Sequence, residues 1–423
     1  MLKKSRTFLG LVLAIALGLP GSVAAEKVTL TFVIPNTTNT TAYEQIFAAY
    51  KAKTGAEVEI QALPPGEDYG RLLLTRFNTG DYPDLFEMDP GTKQYTKFRG
   101  DETLFDWAKD PILSRLTAST REFQTLGGHV YGIAWGSTGA YGVYYNKAVF
   151  KALGKAPPAN YAEFLDIAKA AKAAGYIPIY EAAKTGWPLQ VFSLIGWPSY
   201  VDPAIGDTGV QKLERNQLRL NQIPELKNLL ARQYDLSKKG FYQDSFLAGT
   251  YEEQQELFGQ GRVAMVAQIP VFISAMEQKF GKQFVTDNLG WFPLPSDKGK
   301  GVATLSPASQ ILVPRLGKNV KAATDLVRFM TEKANVDILY KTIPGIPVYN
   351  DAAVALYPAQ EDVLACVKEG RAKINMQNRL SSSLTDYPKI LQALLMDGDV
   401  DKALATLDEN YRKTGKARVL PGF

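Results

Sequence analysis

Residues 128–147 read GHVYGIAWGSTGAYGVYYNK, the densest run of aromatic residues and glycines in the chain. Tyr131, Ile133 and Trp135 alternate with small residues, and Tyr141, Val143 and Tyr145 resume the alternation. A period of two predicts two extended segments on either side of a loop at residues 136–139. Gly136, Ser137, Thr138 and Gly139 give that loop few side-chain contacts, so its backbone angles change at little cost. Such a stretch is either a buried hairpin or a crossing between two lobes that also carries part of a ligand site. The chain on either side separates these readings.

Upstream, Val28, Leu30, Phe32 and Ile34 alternate as a strand, and a polar loop follows at residues 35–40. Thr41 and Glu44 have the spacing of a capping box, Tyr43, Ile46, Phe47 and Tyr50 repeat at helical spacing, and Gly55 stops the helix. A second strand at residues 56–62, a helix at 68–78 and a third strand at 84–88 complete a strand–helix alternation. That alternation predicts a parallel sheet with right-handed crossovers. Downstream it begins again: Asn160 caps a helix whose inner face is Phe164, Ile167, Ala168 and Ala171, and a strand follows at 176–180. Further strands are expected at 263–267 and 303–314, and helices at 226–239, 271–276 and 322–333. With parallel-sheet patterns on both sides, residues 128–147 read as a crossing between lobes.

The totals agree. A chain of 423 residues is too long for one compact core and suits two lobes of roughly 150–200 residues each. Lys3, Lys4 and Arg6 ahead of an apolar run at residues 8–19, then Val23, Ala24 and Ala25, predict a secretory signal peptide over 1–25, cut before Glu26. No Cys stands near that cut to carry a lipid, and the single Cys366 allows no intrachain disulfide. The formal charge of +5 falls further once the leader's cations are removed, and no basic run suggests nucleic acid.

One His and one Cys exclude a multi-histidine metal centre and most nucleophilic triads, so neither a metal nor another cofactor is expected. His129 follows two glycines and reads as a solvated turn residue. Enzymatic chemistry is left to Ser/Lys pairs and to paired carboxylates such as Glu87, Asp89 and Glu181, the alternative being a secreted carbohydrate-active enzyme that uses the carboxylates. Binding has the fuller set of residues. In parallel sheets ligands lie beyond the carboxyl ends of strands. Asn36, Asp89, Glu181 and Gln268 fall in loops predicted there, and Trp135 and Trp187 fall in loops expected to line a cleft. Aromatic faces with planar polar groups suit the C–H faces and hydroxyls of a neutral sugar. No Arg/Lys cluster occupies those loops, which disfavours phosphate.

The order of short motifs is similar to that of the extracellular solute-binding protein family 1, maltose-binding-protein-like carbohydrate-binding subunits of ABC importers. The carriers are NTGDYPD at residues 78–84, GHVYGI at 128–133, Tyr145-Asn146-Lys147, Pro158 with Tyr161-Ala162-Glu163-Phe164, GRVAM at 261–265, and Lys318-Asn319 followed by Ala322-Ala323 and Phe329-Met330. Ala134 stands where the family usually has Pro, and Tyr161 where it has Trp. The resemblance implies an α/β periplasmic-binding-protein fold, each lobe a mostly parallel sheet flanked by helices, with the ligand between them. It implies a first lobe of residues 26–138 plus 304–350 and a second of 139–303 plus 351–423. Crossings would fall near 137–144, 301–305 and 347–356. It further implies that Trp187 stacks on sugar, and that Asp89, Trp135, Ser137 and Asn375 lie at the ligand. The implied protein is a periplasmic monomer that captures a sugar or oligosaccharide and delivers it to a membrane ABC permease.

Overall fold

A computed structural model describes residues 28–64, 67–343 and 345–423, with backbone only at 67, 92 and 93. The expected signal peptide and its cut site lie outside the described residues.

The chain folds as two lobes, each built on its own sheet. The first sheet runs, in spatial order, Glu57–Leu63, Thr29–Pro35, Leu85–Met88, Gln310–Leu312 and Gly132–Ala134. Its first three strands are parallel, with Thr29 opposite Glu57 and Phe32 opposite Leu85, as strand–helix alternation requires. Gln310–Leu312 runs antiparallel to both of its neighbours. The second sheet runs Ala372–Ile374, Ala303–Ser306, Ser137–Asn146, Val263–Gln268 and Ile177–Ile179. Leu289–Phe292 and Ile346–Pro347 also pair with Ser137–Asn146.

Helices cover the sheets because their apolar residues recur on one face. In Thr41–Thr54 that face is Ala42, Tyr43, Ile46, Phe47 and Tyr50, and Gly55 ends the helix at φ 77° with its N–H on Lys51 O. The expected capping box does not form. The helix starts at Thr41, so the box positions are one residue out of place. Asn39 Oδ1 takes the Thr41 N–H at 3.0 Å, and the Thr40 hydroxyl donates to Glu44 at 2.7 Å. Helix Tyr161–Ala173 begins as expected, the Asn160 side chain accepting from Glu163 N at 3.0 Å. Large side chains such as Trp107, Phe32 and Phe86 are fully enclosed in the first lobe, and Trp291, Tyr144 and Phe150 in the second. Burying each contributes about 1.5–3 kcal/mol.

The crossing is tighter than its sequence suggests. Ser137–Asn146 is one continuous strand, and only Gly136, at φ 107°, interrupts the extended chain after Ala134. The residues expected to be a soft loop are paired: Ser137 with Pro347, Thr138 with Ile346 and Gly139 with Ser306. Side chains brace the backbone around them. Tyr349 donates its hydroxyl to Ala134 O at 2.7 Å, Tyr340 donates to Gly136 O at 2.7 Å, and Trp135 N–H meets Ser309 O at 2.8 Å. Gly139 must be small, because a Cβ there would lie 2.4 Å from Pro270 Cγ. Ala303–Ser306 pairs entirely within the second sheet, so the return crossing falls between Ser306 and Gln310, later than residues 301–305.

Candidate functional site

The crossing strand has two faces. Tyr141, Val143 and Tyr145 pack into the second-lobe core that also holds Leu194, Leu229 and Leu391. Ala140 and Tyr144 point the other way, into a cluster with Leu305, Ile374, Phe272 and Val363. Strand alternation assigns Gly139 to the Tyr141 face. The Asn375 side chain lies beside the Tyr141 hydroxyl on that face, and Ser306 Oγ accepts the Gly139 N–H at 3.0 Å. We call this the front face and the Ala140 face the rear.

The first lobe meets the interlobe space at the carboxyl ends of Thr29–Pro35 and Leu85–Met88. Asn36 is exposed, and its N–H is held by Leu63 O at 2.8 Å. Asp89 is exposed just past the third strand. Two residues earlier, Glu87 is buried and receives the Tyr43 hydroxyl on Oε2 at 2.8 Å. Burial raises its carboxyl above the usual range despite that hydrogen bond. Tyr69 ties the strand ends together, its hydroxyl lying 2.6 Å from Glu87 O and 3.0 Å from Val33 O. Trp135 is enclosed in the first-lobe core, its ring 6.0 Å from that of Tyr43. The expectation of Trp135 in a cleft loop is thus corrected: the tight Ala134–Gly136 passage turns the indole inward.

The second lobe supplies a ladder of side-chain amides. Gln268 ends its strand rather than starting a loop, and its Nε2 donates to Gln254 Oε1 at 2.7 Å. Gln254 Nε2 in turn donates to Tyr180 O at 2.9 Å. Gln243 clips the backbone of Glu181, accepting its N–H at 3.0 Å and donating to its C=O at 2.8 Å. These bonds satisfy polar groups that the core would otherwise strand. Glu181 is buried, takes the Ala182 N–H on Oε1 at 3.1 Å, and has its carboxyl pushed by burial up to about 8. Trp187 opens a short 3-10 turn, Trp187–Gln190, and is half-buried with its ring edge-on to Tyr251 at 5.3 Å. Gln190 Oε1 accepts from Gln377 Nε2 at 2.9 Å. Asn375 is buried and caps the next turn through Gln377 N at 2.9 Å.

Beside the strand crossings the lobes leave cavities. The largest, about 740 Å³, lies on the side occupied by the helices Val271–Asn288 and Pro358–Lys368. Ser137, Ser274, Ser306, Lys341 and Tyr357 are among its walls. A second, about 310 Å³, lies between Gly91, Glu122 and Phe123 of the first lobe and Lys373, Asn378 and Arg379 of the second. Among the described residues no group of His, Cys, Asp and Glu has the arrangement to hold a metal ion.

Two lobes on separate sheets are joined by braced strands, with cavities beside the crossings. Over residues 34–337 the chain matches the family of bacterial extracellular solute-binding proteins. The chain belongs to that family. A multiple sugar-binding protein of Streptococcus mutans is 23% identical over 289 residues, covering 66% of this chain and 66% of that protein. In fold, this solute-binding protein resembles the apo form of RafE from Streptococcus pneumoniae, with TM-score 0.76, 20% identity, and coverage of 92% and 98% of the two chains. It also resembles RafE in complex with raffinose, with TM-score 0.68, 19% identity, and coverage of 92% and 100%.

In this solute-binding protein the expected contact residues divide by access. Asn36 and Asp89 are open, Ser137 and Trp187 are half-buried, and Trp135, Glu181, Gln268 and Asn375 are enclosed. Of the eight, Ser137 alone lines the largest cavity, and none lines the second. Sequence reading missed Gln190 and the Arg379–Asp202 ion pair, at 2.6 Å across 177 residues. Gln190 lies three residues past Trp187, a signal that was present. The ion pair had none, since nothing local links its halves.

Proposed function

We propose that this protein is the substrate-binding subunit of an ABC importer, capturing a neutral sugar or oligosaccharide by lobe closure and passing it to a membrane permease. The observation that carries this reading is the paired strand ends: open Asn36 and Asp89 on one lobe, and Trp187, Gln190 and Gln377 on the other. Planar amides and a carboxylate suit sugar hydroxyls, and a half-exposed indole suits a sugar's C–H face. The likeness to a multiple sugar-binding protein supports the ligand class. In this reading Asn36, Asp89, Ser137 and Trp187 touch ligand, while Trp135, Glu181, Gln268 and Asn375 set the strand ends that carry them. The division into two lobes, with the boundary expected at residue 304 moved to between Ser306 and Gln310, the monomeric state, and a periplasmic location without a lipid anchor belong to the same proposal.

The test is an oligosaccharide panel followed by tryptophan emission, thermal shift and product analysis. Saturable emission change and a raised midpoint without cleavage are expected. Sugar turnover would overturn the reading in favour of a carbohydrate-active enzyme. A narrower test is Trp187→Ala, expected to weaken sugar binding at least tenfold, about 1.4 kcal/mol. Because Trp187 is only half-buried, the variant should keep its fold, checked by circular dichroism. Unchanged affinity would remove Trp187 from the site.

A further inference from the structure

Two carboxyls meet at the end of the third strand. Glu87 lies in Leu85–Met88 and Asp89 follows it by two residues, so their side chains share one face. The neighbouring strand runs antiparallel, with Gln310 opposite Met88 and Ile311 opposite Glu87. One step further, that register sets Ser309 across from Asp89 on the same face. Ser309 is held from its other side as well, where its carbonyl takes the Trp135 N–H at 2.8 Å. Its hydroxyl lies within hydrogen-bonding reach of both the Glu87 and the Asp89 carboxyls.

A hydroxyl carries one proton and donates to one acceptor at a time. With both carboxyls ionised, one of them would face only the lone pairs of Ser309 Oγ. The arrangement closes when one carboxyl keeps its proton and donates to Ser309. Glu87 is suited to that part. It is 9% exposed, whereas Asp89 opens to solvent. Its Oε2 already accepts from the Tyr43 hydroxyl at 2.8 Å. Tyr69, the other titratable group packed over it, directs its hydroxyl to the backbone oxygens of Glu87 and Val33. Burial raises the Glu87 carboxyl, and the Asp89 charge adds to the rise.

We propose that Ser309 is a positioning residue for ligand capture, accepting a hydrogen bond from the Glu87 carboxyl and donating its own to Asp89, so that one Asp89 oxygen is tied back and the other is presented to ligand hydroxyls. The proposal rests on Asp89 touching ligand, as in the proposed function. The donors then run in one direction, from Tyr43 to Glu87 to Ser309 to Asp89. A carboxylate at the end of such a chain only accepts. It therefore favours a neutral sugar, which offers hydroxyl donors, over an acidic one, which brings a second negative charge.

The test follows the Asp89 carboxyl by carbon-13 NMR against pH, without sugar, in aspartate-labelled wild type, S309A, S309T and E87Q. The resonance is identified by its loss in D89N. S309A removes a hydrogen bond to the ionised form, so the midpoint should rise by about one pH unit. S309T keeps the hydroxyl and should stay near wild type. In E87Q an amide still donates to Ser309, so the Asp89 midpoint should hold. An S309A midpoint equal to wild type, or an S309T midpoint displaced as far as that of S309A, overturns the link. A midpoint that falls in E87Q reveals a charged Glu87 beside Asp89 and overturns the direction of the chain. The ligand role is measured with raffinose or, where raffinose does not bind, with the panel sugar of largest thermal shift. S309A should weaken binding about three- to tenfold, and D89N/S309A should bind as D89N does. Additive losses in the double variant overturn the positioning role, because Ser309 would then act apart from Asp89. A panel without any binder sinks the proposed function and the ligand role together, while the titration still decides the link between Ser309 and Asp89.

Discussion

Between pH 5 and 8 the wild-type protein is expected to lose on the order of 4 kcal/mol of stability relative to E181Q, at a slope of up to about 1.4 kcal/mol per pH unit. The cause is desolvation. Glu181 is 4% exposed, and burial raises its carboxyl from the usual 4.5 to about 8. In the unfolded chain the same group ionises near its ordinary value. Below pH 4.5 the carboxyl is protonated in both states, and pH has no leverage through it. Between 4.5 and 8 the folded protein keeps the proton while the unfolded chain releases it. The folded state then binds more protons, so stability falls as pH rises. Above 8 both states are ionised and the loss is complete. In E181Q a neutral amide of the same shape still accepts the Ala182 N–H, so this pH dependence disappears. Urea unfolding of both proteins at pH 5, 6, 7 and 8 measures the difference, and the subtraction cancels every other titrating group. A difference that stays constant across the series would show that Glu181 is ionised in the fold.

Arg379→Ala is expected to destabilise the second lobe by about 3 kcal/mol. The Arg379 Nη1 to Asp202 Oδ2 pair is short, at 2.6 Å, and shielded, with side chains 16% and 10% exposed. The other Asp202 oxygen takes the Trp197 Nε1–H at 2.9 Å, and the carboxylate sits in the first turn of helix Asp202–Glu214, where the helix dipole favours it. Removing the guanidinium leaves a shielded carboxylate with only these supports. The accompanying change Asp202→Asn removes that charge, so the double variant should recover most of the loss. Arg379→Lys should fall between, because an ammonium keeps the charge without the planar fork. Equal stability of wild type and Arg379→Ala in urea would mean that the pair contributes nothing net. Full loss persisting in the double variant would point to packing of the Arg379 stem.

Much of the fold was legible because it is written in local periods. Val28, Leu30, Phe32 and Ile34 alternate, and Tyr43, Ile46, Phe47 and Tyr50 repeat at helical spacing. Each pattern needs only its own neighbours to be read. Small errors arose where one residue of offset matters. Thr41 has the spacing of a cap, yet the helix begins on it, so Asn39 and Thr40 make the local bonds instead. The strand pattern at 263–267 stops one residue short of Gln268, and pairing with Gly142 extends the strand through it.

The candidate site was legible only in part. The strand-end rule marked Asn36 and Asp89, and both are open to solvent. The same rule marked Glu181 and Gln268, which the structure encloses. A strand end can face either the interlobe space or the side-chain amides of a neighbouring helix or loop, and periodicity does not say which. For Gln268 the partner is Gln254, and for Glu181 it is Gln243, 62 residues away. Trp135 shows the same ambiguity, since its place beside Tyr43 depends on how tightly Gly136 turns.

The sequence by itself determined that the chain has two strand–helix lobes, that residues 128–147 pass between them, and that metal and triad chemistry lack the residues they need. Those conclusions rest on composition and on periods a few residues long, which survive without knowledge of the neighbours. Only the tertiary structure decided that the crossing is a braced strand rather than a soft loop, because its stiffness comes from Ser306, Pro347, Tyr340 and Tyr349, all far along the chain. The same holds for the faces of that strand, and for Glu122 meeting Lys373 across 251 residues. Contacts of that separation follow from packing, and nothing in the local pattern specifies them.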